Sequence, residues 1–199
     1  MNYKKYVKVK DIIIEENFPG KCRYLAEYEL DIPNADTNDK KRVATIILKN
    51  PSKADKQQSD QTVNKVLEYM YRFQYSRVYI VNLIPVYATN SSLADIELWH
   101  NPCVKKKNKK RISEAICKAD KIFVGWGGNF APDPQILIEQ IEYVNECVSE
   151  NNKKMYCYTV NKSNKQPRHP CRNGWKGQKP EEMFEEFHVE RNNEKNNRD

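Results

Sequence analysis

The sequence predicts an α/β fold, a three-layer sandwich around a central, mostly parallel sheet, and three observations predict it. Four short apolar runs (Val43–Leu48, Val78–Ile84, Lys121–Val124 and Met155–Val160) have the length and β-branched content of strands buried on both faces. Helical periodicity fills the stretches between them, and strand–helix alternation favours parallel strands joined by right-handed crossovers. The first forty residues show apolar–polar alternation instead, which marks antiparallel β structure added to that core.

Taken in order, Tyr6–Glu15 alternates through Val7 and Val9 into Ile12-Ile13-Ile14, and reads as a strand. Phe18-Pro19-Gly20 is a turn signal, Cys22–Leu30 alternates again, and a charged loop covers Pro33–Arg42. After the strand Val43–Leu48, Asp60 caps a helix to about Gln74, with Val63, Val66, Leu67, Met70 and Phe73 on one face. The strand Val78–Ile84 follows, then a helix over Lys105–Ala119 with Ile112, Ala115 and Ile116 as its stripe. Lys121–Val124 breaks into Gly125-Trp126-Gly127-Gly128, and Pro134 suits the first turn of a helix to about Ser149, since that position needs no amide hydrogen. Met155–Val160 is the fourth core strand. Residues 161–178 form a polar loop, Pro180–Phe187 reads as a short helix, and 189–199 has the composition of a disordered tail. The expected organisation is one α/β domain over 1–178 (β region 1–42, core 43–160, loop 161–178) and a charged tail over 179–199.

A chain of 199 residues suffices for a real core. No apolar run approaches the ~20 residues of a membrane span, and the first ten residues lack an apolar leader segment, so a cytoplasmic location without membrane contact is expected. Six cysteines without a Cys-x-x-Cys pair suit reduced, structural thiols. His100 with Cys103, and His169 with Cys171, stand at spacings unlike structural zinc sites, so neither metal nor another cofactor is expected. The net charge of +7 favours an anionic partner, DNA or a nucleotide. Lys105, Lys106, Lys107, Lys109, Lys110 and Arg111 concentrate that charge; they could track a nucleic-acid backbone or simply form a solvated helix start.

Each core strand ends in residues that packing does not call for. The first gives Asn50-Pro51-Ser52, the second Asn82, the third Gly125–Gly128, and the fourth leads to Lys162 and Pro167-Arg168-His169-Pro170. In a parallel sheet these ends share one edge, where open α/β sheets bind ligands. Each also has a plainer reading. Asn50-Pro51 makes a good turn, and Asp60 an N-cap. Asn82, within an apolar run, needs a hydrogen-bond partner that is either a loop backbone or a ligand's amide-like edge. Trp126 can pack or stack, and glycines such as Gly127 let backbone approach a ligand. His169 sits between prolines that fix its backbone, and Arg168 beside it suits a phosphate. Asp55 and Thr62 lie just past the elbow.

Assembled, these residues resemble an uncharacterised bacterial and phage family, the domain of unknown function numbered sixteen forty-three. The shared pattern is Asn50-Pro51-Ser52-Lys53-Ala54-Asp55, Asp60 with Thr62, Val81-Asn82-Leu83, Trp126-Gly127, and Lys162 with Pro167-Arg168-His169-Pro170, in order over about residues 22–171. Lys49 and Cys171 depart from it, standing where the family has an apolar residue and a leucine. The order of motifs is similar in layout to the uracil-DNA glycosylase superfamily, with an Asn/Asp-Pro elbow, a later strand-end Asn and a His-Pro loop. That layout implies a base- or nucleotide-processing enzyme. Asn50, or Asp55 or Asp60 near it, would position water, Asn82 would read a base edge, and His169 would stabilise the leaving base. Pro51, Ser52, Thr62, Trp126, Gly127 and Arg168 would line the substrate. The alternatives are a non-catalytic nucleotide or nucleic-acid binding module and a small-molecule hydrolase or transferase. With no phosphate-binding Gly-rich loop and no Gly-x-Ser-x-Gly elbow, P-loop and α/β-hydrolase chemistry are disfavoured.

Overall fold

The protein is described by a computed structural model over residues 1–17, 21–33, 41–87, 93–128, 134–170 and 184–189. The Phe18-Pro19-Gly20 turn, most of the charged loop, Cys171, Pro180 and residues 190–199 lie outside the described residues. Strands β1 (Ile13–Asn17), β2 (Cys22–Glu29), β3 (Val43–Leu48), β4 (Arg77–Asn82), β5 (Lys121–Val124), β6 (Met155–Cys157) and β7 (Glu185–Phe187) form one sheet. Its order is β1-β2-β4-β3-β5-β6-β7. β4, β3, β5 and β6 run parallel, while β1, β2 and β7 pair antiparallel at the two sides. The fold is therefore α/β as the alternation predicts, with seven strands where about four core strands were expected.

Helices α1 (Gln61–Arg72), α2 (Leu93–His100), α3 (Pro102–Lys118) and α4 (Pro134–Glu150) connect these strands. β4 lies to one side of β3 and β5 to the other, so right-handed crossovers carry α1 to one face and α3 and α4 to the opposite face. The core confirms the layers. Val63, Val66, Leu67 and Met70 of α1 pack on Ala44, Ile46, Leu48, Val78 and Ile80, while Ile112, Ile116, Ile141 and Val144 pack on Ile47, Val81, Ile122 and Val124. The four α1 side chains are all 0% exposed, and burying each stabilises by ~1.5–3 kcal/mol. Asp60 caps α1, its Oδ1 accepting from Val63 N at 2.9 Å.

Four local expectations need correction. Val9–Asp11 is a 3₁₀ turn rather than strand: only Val7 bridges to Leu30, after which the chain turns so that Ile12, not Val9, is buried. Helix α3 begins at Pro102, with Asn101 Oδ1 capping Cys103 N, and α2 precedes it where no helix was foreseen. β6 stops at Cys157, Val160 keeping only an isolated bridge to Pro167. Glu185–Phe187 is a strand against β6, not helix, because that pairing places Phe187 in the core beside Trp126.

Candidate functional site

Chain order reverses between β3 and β5: from β3 the chain leaves toward α1 on one face, from β5 toward α4 on the other. A crevice outside the carboxyl ends of these two strands follows from that topology. Four predicted segments reach this edge: the 50–55 elbow, the end of β4, Gly125–Gly128 and the loop 167–170.

The elbow is held from both sides. Asn50 Nδ2 donates to Val86 O at 3.2 Å, and its Oδ1 has no partner among the described residues. Asn50, Pro51 and Ser52 are half-buried. Asp60 Oδ2 accepts from Ala54 N at 3.0 Å, and Arg23 Nη1 donates to Ala54 O at 2.7 Å. Asp55 closes its own turn, Oδ1 accepting from Gln57 N and Gln58 N, and these backbone bonds lower its pKa. Both aspartates thus hold backbone. Thr62 is half-buried in the first turn of α1, and Lys49, just before the elbow, has its pKa lowered by burial.

Asn82 ends β4 with no exposed surface, and neither its Nδ2 nor its Oδ1 has a partner among the described residues. Val78 and Ile80 belong to the α1 face, so strand alternation turns Asn82 to that face too. Its backbone is pinned from the other layer, where Asn108 Nδ2 of α3 donates to Asn82 O at 3.1 Å and Leu83 O at 3.0 Å.

Loop 161–170 folds onto the end of β5. Gly127 N donates to Pro167 O at 2.8 Å, Asn164 Nδ2 donates to Gly128 O, and Arg168 N donates to Thr159 O. Gly127 takes φ +77°, a conformation that glycine adopts without strain. A Cβ at Gly125 would stand 3.2 Å from Pro170 Cδ, so glycine there permits the close approach of the loop, whereas one at Gly127 would meet His169 Cβ at an ordinary 3.6 Å. His169 is half-buried, and the buried Arg168 Nε has no partner among the described residues. Trp126 is 1% exposed, donates from Nε1 to Gln166 Oε1 at 2.8 Å and packs edge-on against Phe187. Its ring is committed to the core and offers no face for stacking.

The basic stretch lies along α3, and most of its charge is engaged. Lys107 and Arg111 pair with Glu15 of β1, Arg111 and Lys110 meet Glu114, and Lys105 and Lys109 sit over the Trp99 and Tyr143 rings. Lys106 is exposed with no such partner among the described residues. A cavity of about 260 Å³, lined by Arg42, Arg72, Phe73, Gln74, Tyr75, Lys121, Phe123 and Phe184, opens at the opposite edge, beside the amino ends of β3 and β5. Among the described residues no His, Cys, Asp and Glu cluster could hold a metal ion, and no helix is long and apolar enough to cross a membrane.

Two residues at this edge escaped the sequence reading. Arg23 was hidden because alternation along β2 assigns it to the wrong face. Asn108 was hidden within the basic run, where the lone non-basic residue among seven was its only signal. A family model described as Protein of unknown function (DUF1643) matches residues 28–171, while no curated protein and no solved structure matches the chain.

Proposed function

The chain belongs to this family, and we propose that it binds, and in the fuller reading processes, a nucleobase or nucleotide at the carboxyl edge of its parallel strands. The observation that carries the reading is the Asn82 carboxamide, a donor and an acceptor side by side, buried and without a partner among the described residues. Nucleobase edges present the complementary acceptor and donor at matching separation. An unpaired buried amide costs ~1–3 kcal/mol, the kind of local instability that binding sites retain. Because Asn82 has no exposed surface, a ligand reaches it only when the surrounding chain parts.

The remaining roles follow from position. Asn50 Oδ1 is suited to orient a water molecule. His169, set against Gly127, is suited to steady negative charge on a departing base, and the Arg168 Nε to bind an acidic oxygen. The similarity of motif order to the uracil-DNA glycosylase superfamily supports base release as the reaction. Engagement of most of the α3 cations favours a free nucleotide over a long DNA track.

One observation favours binding without catalysis: Asp60 commits both carboxylate oxygens to backbone amides, and Asp55 uses its Oδ1 to close its own turn, so the elbow's carboxylates serve first to hold backbone. Incubation with uracil-, hypoxanthine- and hypermodified-base DNA and with free nucleotides separates the readings. Base release that is lost in Asn50→Ala, Asn82→Ala and His169→Ala supports catalysis. Nucleotide binding without release leaves the binding module, and neither binding nor release refutes the proposal.

A further inference from the structure

We propose that Arg23 turns the elbow into an oxyanion subsite: its buried guanidinium polarises Ser52, and the Ser52 hydroxyl donates to a phosphate oxygen of the ligand. The inference rests on the nucleotide reading above and supplies the half of the ligand that Asn82 does not address.

A β-bulge aims the arginine. β1 and β2 pair Ile14 with Ala26 and Glu15 with Leu25, but Glu16 with Arg23, so Tyr24 is skipped. Regular alternation would put Arg23 beside Leu25 on the α3 face. Instead Tyr24 packs there with Trp99 and Val104, and Arg23 swings to the α1 face beneath residues 52–54. The side chain is 1% exposed, and its Nε has no partner among the described residues. No carboxylate among the described residues lies within ion-pair distance of it, Asp60 being occupied with Ala54 N and Val63 N. Its positive charge, which lies 5.6 Å from the centre of the Tyr87 ring, is thus buried without a counter-ion among the described residues, a costly arrangement that an incoming anion relieves.

Ser52 transmits that charge. Arg23 Nη2 donates to Ser52 Oγ at 3.1 Å, so the hydroxyl acts as acceptor toward the arginine and its own proton is directed elsewhere. The residue is half-buried at the switch-point crevice. Anchoring Ala54 through both its carbonyl and its amide fixes the turn that presents Ser52. A phosphate oxygen is the acceptor that gains most from such a donor, because charge-assisted hydrogen bonds are about twice as strong as neutral ones. Arg23 is thus a positioning residue acting through Ser52.

Calorimetric titration with deoxyuridine, deoxyuridine 5′-monophosphate, inorganic phosphate and a dinucleotide lacking a terminal phosphate tests this. Wild type is expected to bind the monophosphate about tenfold more tightly than the nucleoside, the worth of one charge-assisted bond. That increment is expected to vanish in Arg23→Gln and in Ser52→Ala, and the dinucleotide arm tells a terminal phosphate from a backbone phosphodiester. Should Arg23→Gln fail to fold, Ser52→Ala decides, since it removes only a hydroxyl. Equal affinity for nucleoside and monophosphate, persistence of the increment in Ser52→Ala, or no binding by wild type overturns the inference. Nucleoside binding without a phosphate increment overturns it while leaving the base-binding reading intact. Phosphate binding that depends on Ser52, without preference for a base-bearing ligand, does the reverse.

Discussion

Replacing Asn82 with valine is expected to stabilise the protein while abolishing nucleotide binding. The side chain is 0% exposed, and both polar atoms of its amide lack partners among the described residues. Leaving such a group unpaired costs ~1–3 kcal/mol, which the substitution recovers, and a β-branched side chain suits a strand buried on both faces. Valine is slightly larger than asparagine, so overpacking offsets part of the gain, leaving a net ~1–2 kcal/mol. For a chain of this size that raises the melting temperature by about 2–4 °C per kcal/mol. The bonds from Asn108 go to backbone carbonyls and survive the change, so the urea m-value stays constant. Urea and thermal unfolding of both proteins, paired with a nucleotide titration, provide the readout. A loss of more than about 1 kcal/mol would mean that the amide is satisfied in the native protein, and the argument from Asn82 would fail.

The other predictions concern the frame around the site. Lys8, bonded to Glu29 and joined by Lys41, holds the Glu29 carboxyl at about 2, well below its usual 4.5. The stabilisation is fully present above pH 4.5 and is lost as pH falls through about 2. Discounted for the exposed lysines it amounts to ~1–2 kcal/mol, so Glu29→Gln should lower stability at neutral pH and flatten the acid limb of a urea-unfolding series. In a Cys171→Ser background, an aromatic disulfide reagent should titrate exposed Cys103 and Cys117 rapidly; Cys22, Cys147 and Cys157 are buried, and burial pushes Cys157 up to about 12. Rapid reaction at Cys157 would contradict the β5–β6 packing. Gly127→Ala should cost ~1–2 kcal/mol in unfolding experiments through backbone strain alone, because a Cβ there meets His169 at an ordinary 3.6 Å. A neutral effect would show that the φ of +77° is not required.

What was legible in the sequence was whatever short-range chemistry decides. β3, β4 and β5 announce themselves as apolar runs because both faces of a parallel strand are covered, and α1 because Asp60 caps it and Val63, Val66, Leu67 and Met70 recur at helical spacing. From those elements the common edge of Asn50, Asn82, Gly125–Gly128 and Pro167–Pro170 follows by topology alone. Long-range pairing decided the rest. Glu185-Glu186-Phe187 becomes a strand only because β6 offers it an edge, and nothing in its composition says so. The bulge at Tyr24 reverses the face of Arg23, which a period-two pattern cannot foresee. Likewise the basic run is engaged by Glu15, nearly a hundred residues away, and by aromatic rings from other elements.

Amide-proton mapping by NMR during titration with deoxyuridine 5′-monophosphate tests the central claim most directly. The account predicts shift changes at residues 50–54, 82–84, 125–128 and 167–170, the four segments gathered at the carboxyl ends of the parallel strands. Changes confined to the Arg42, Tyr75 and Lys121 cavity at the opposite edge, or no change at saturating nucleotide, would contradict it.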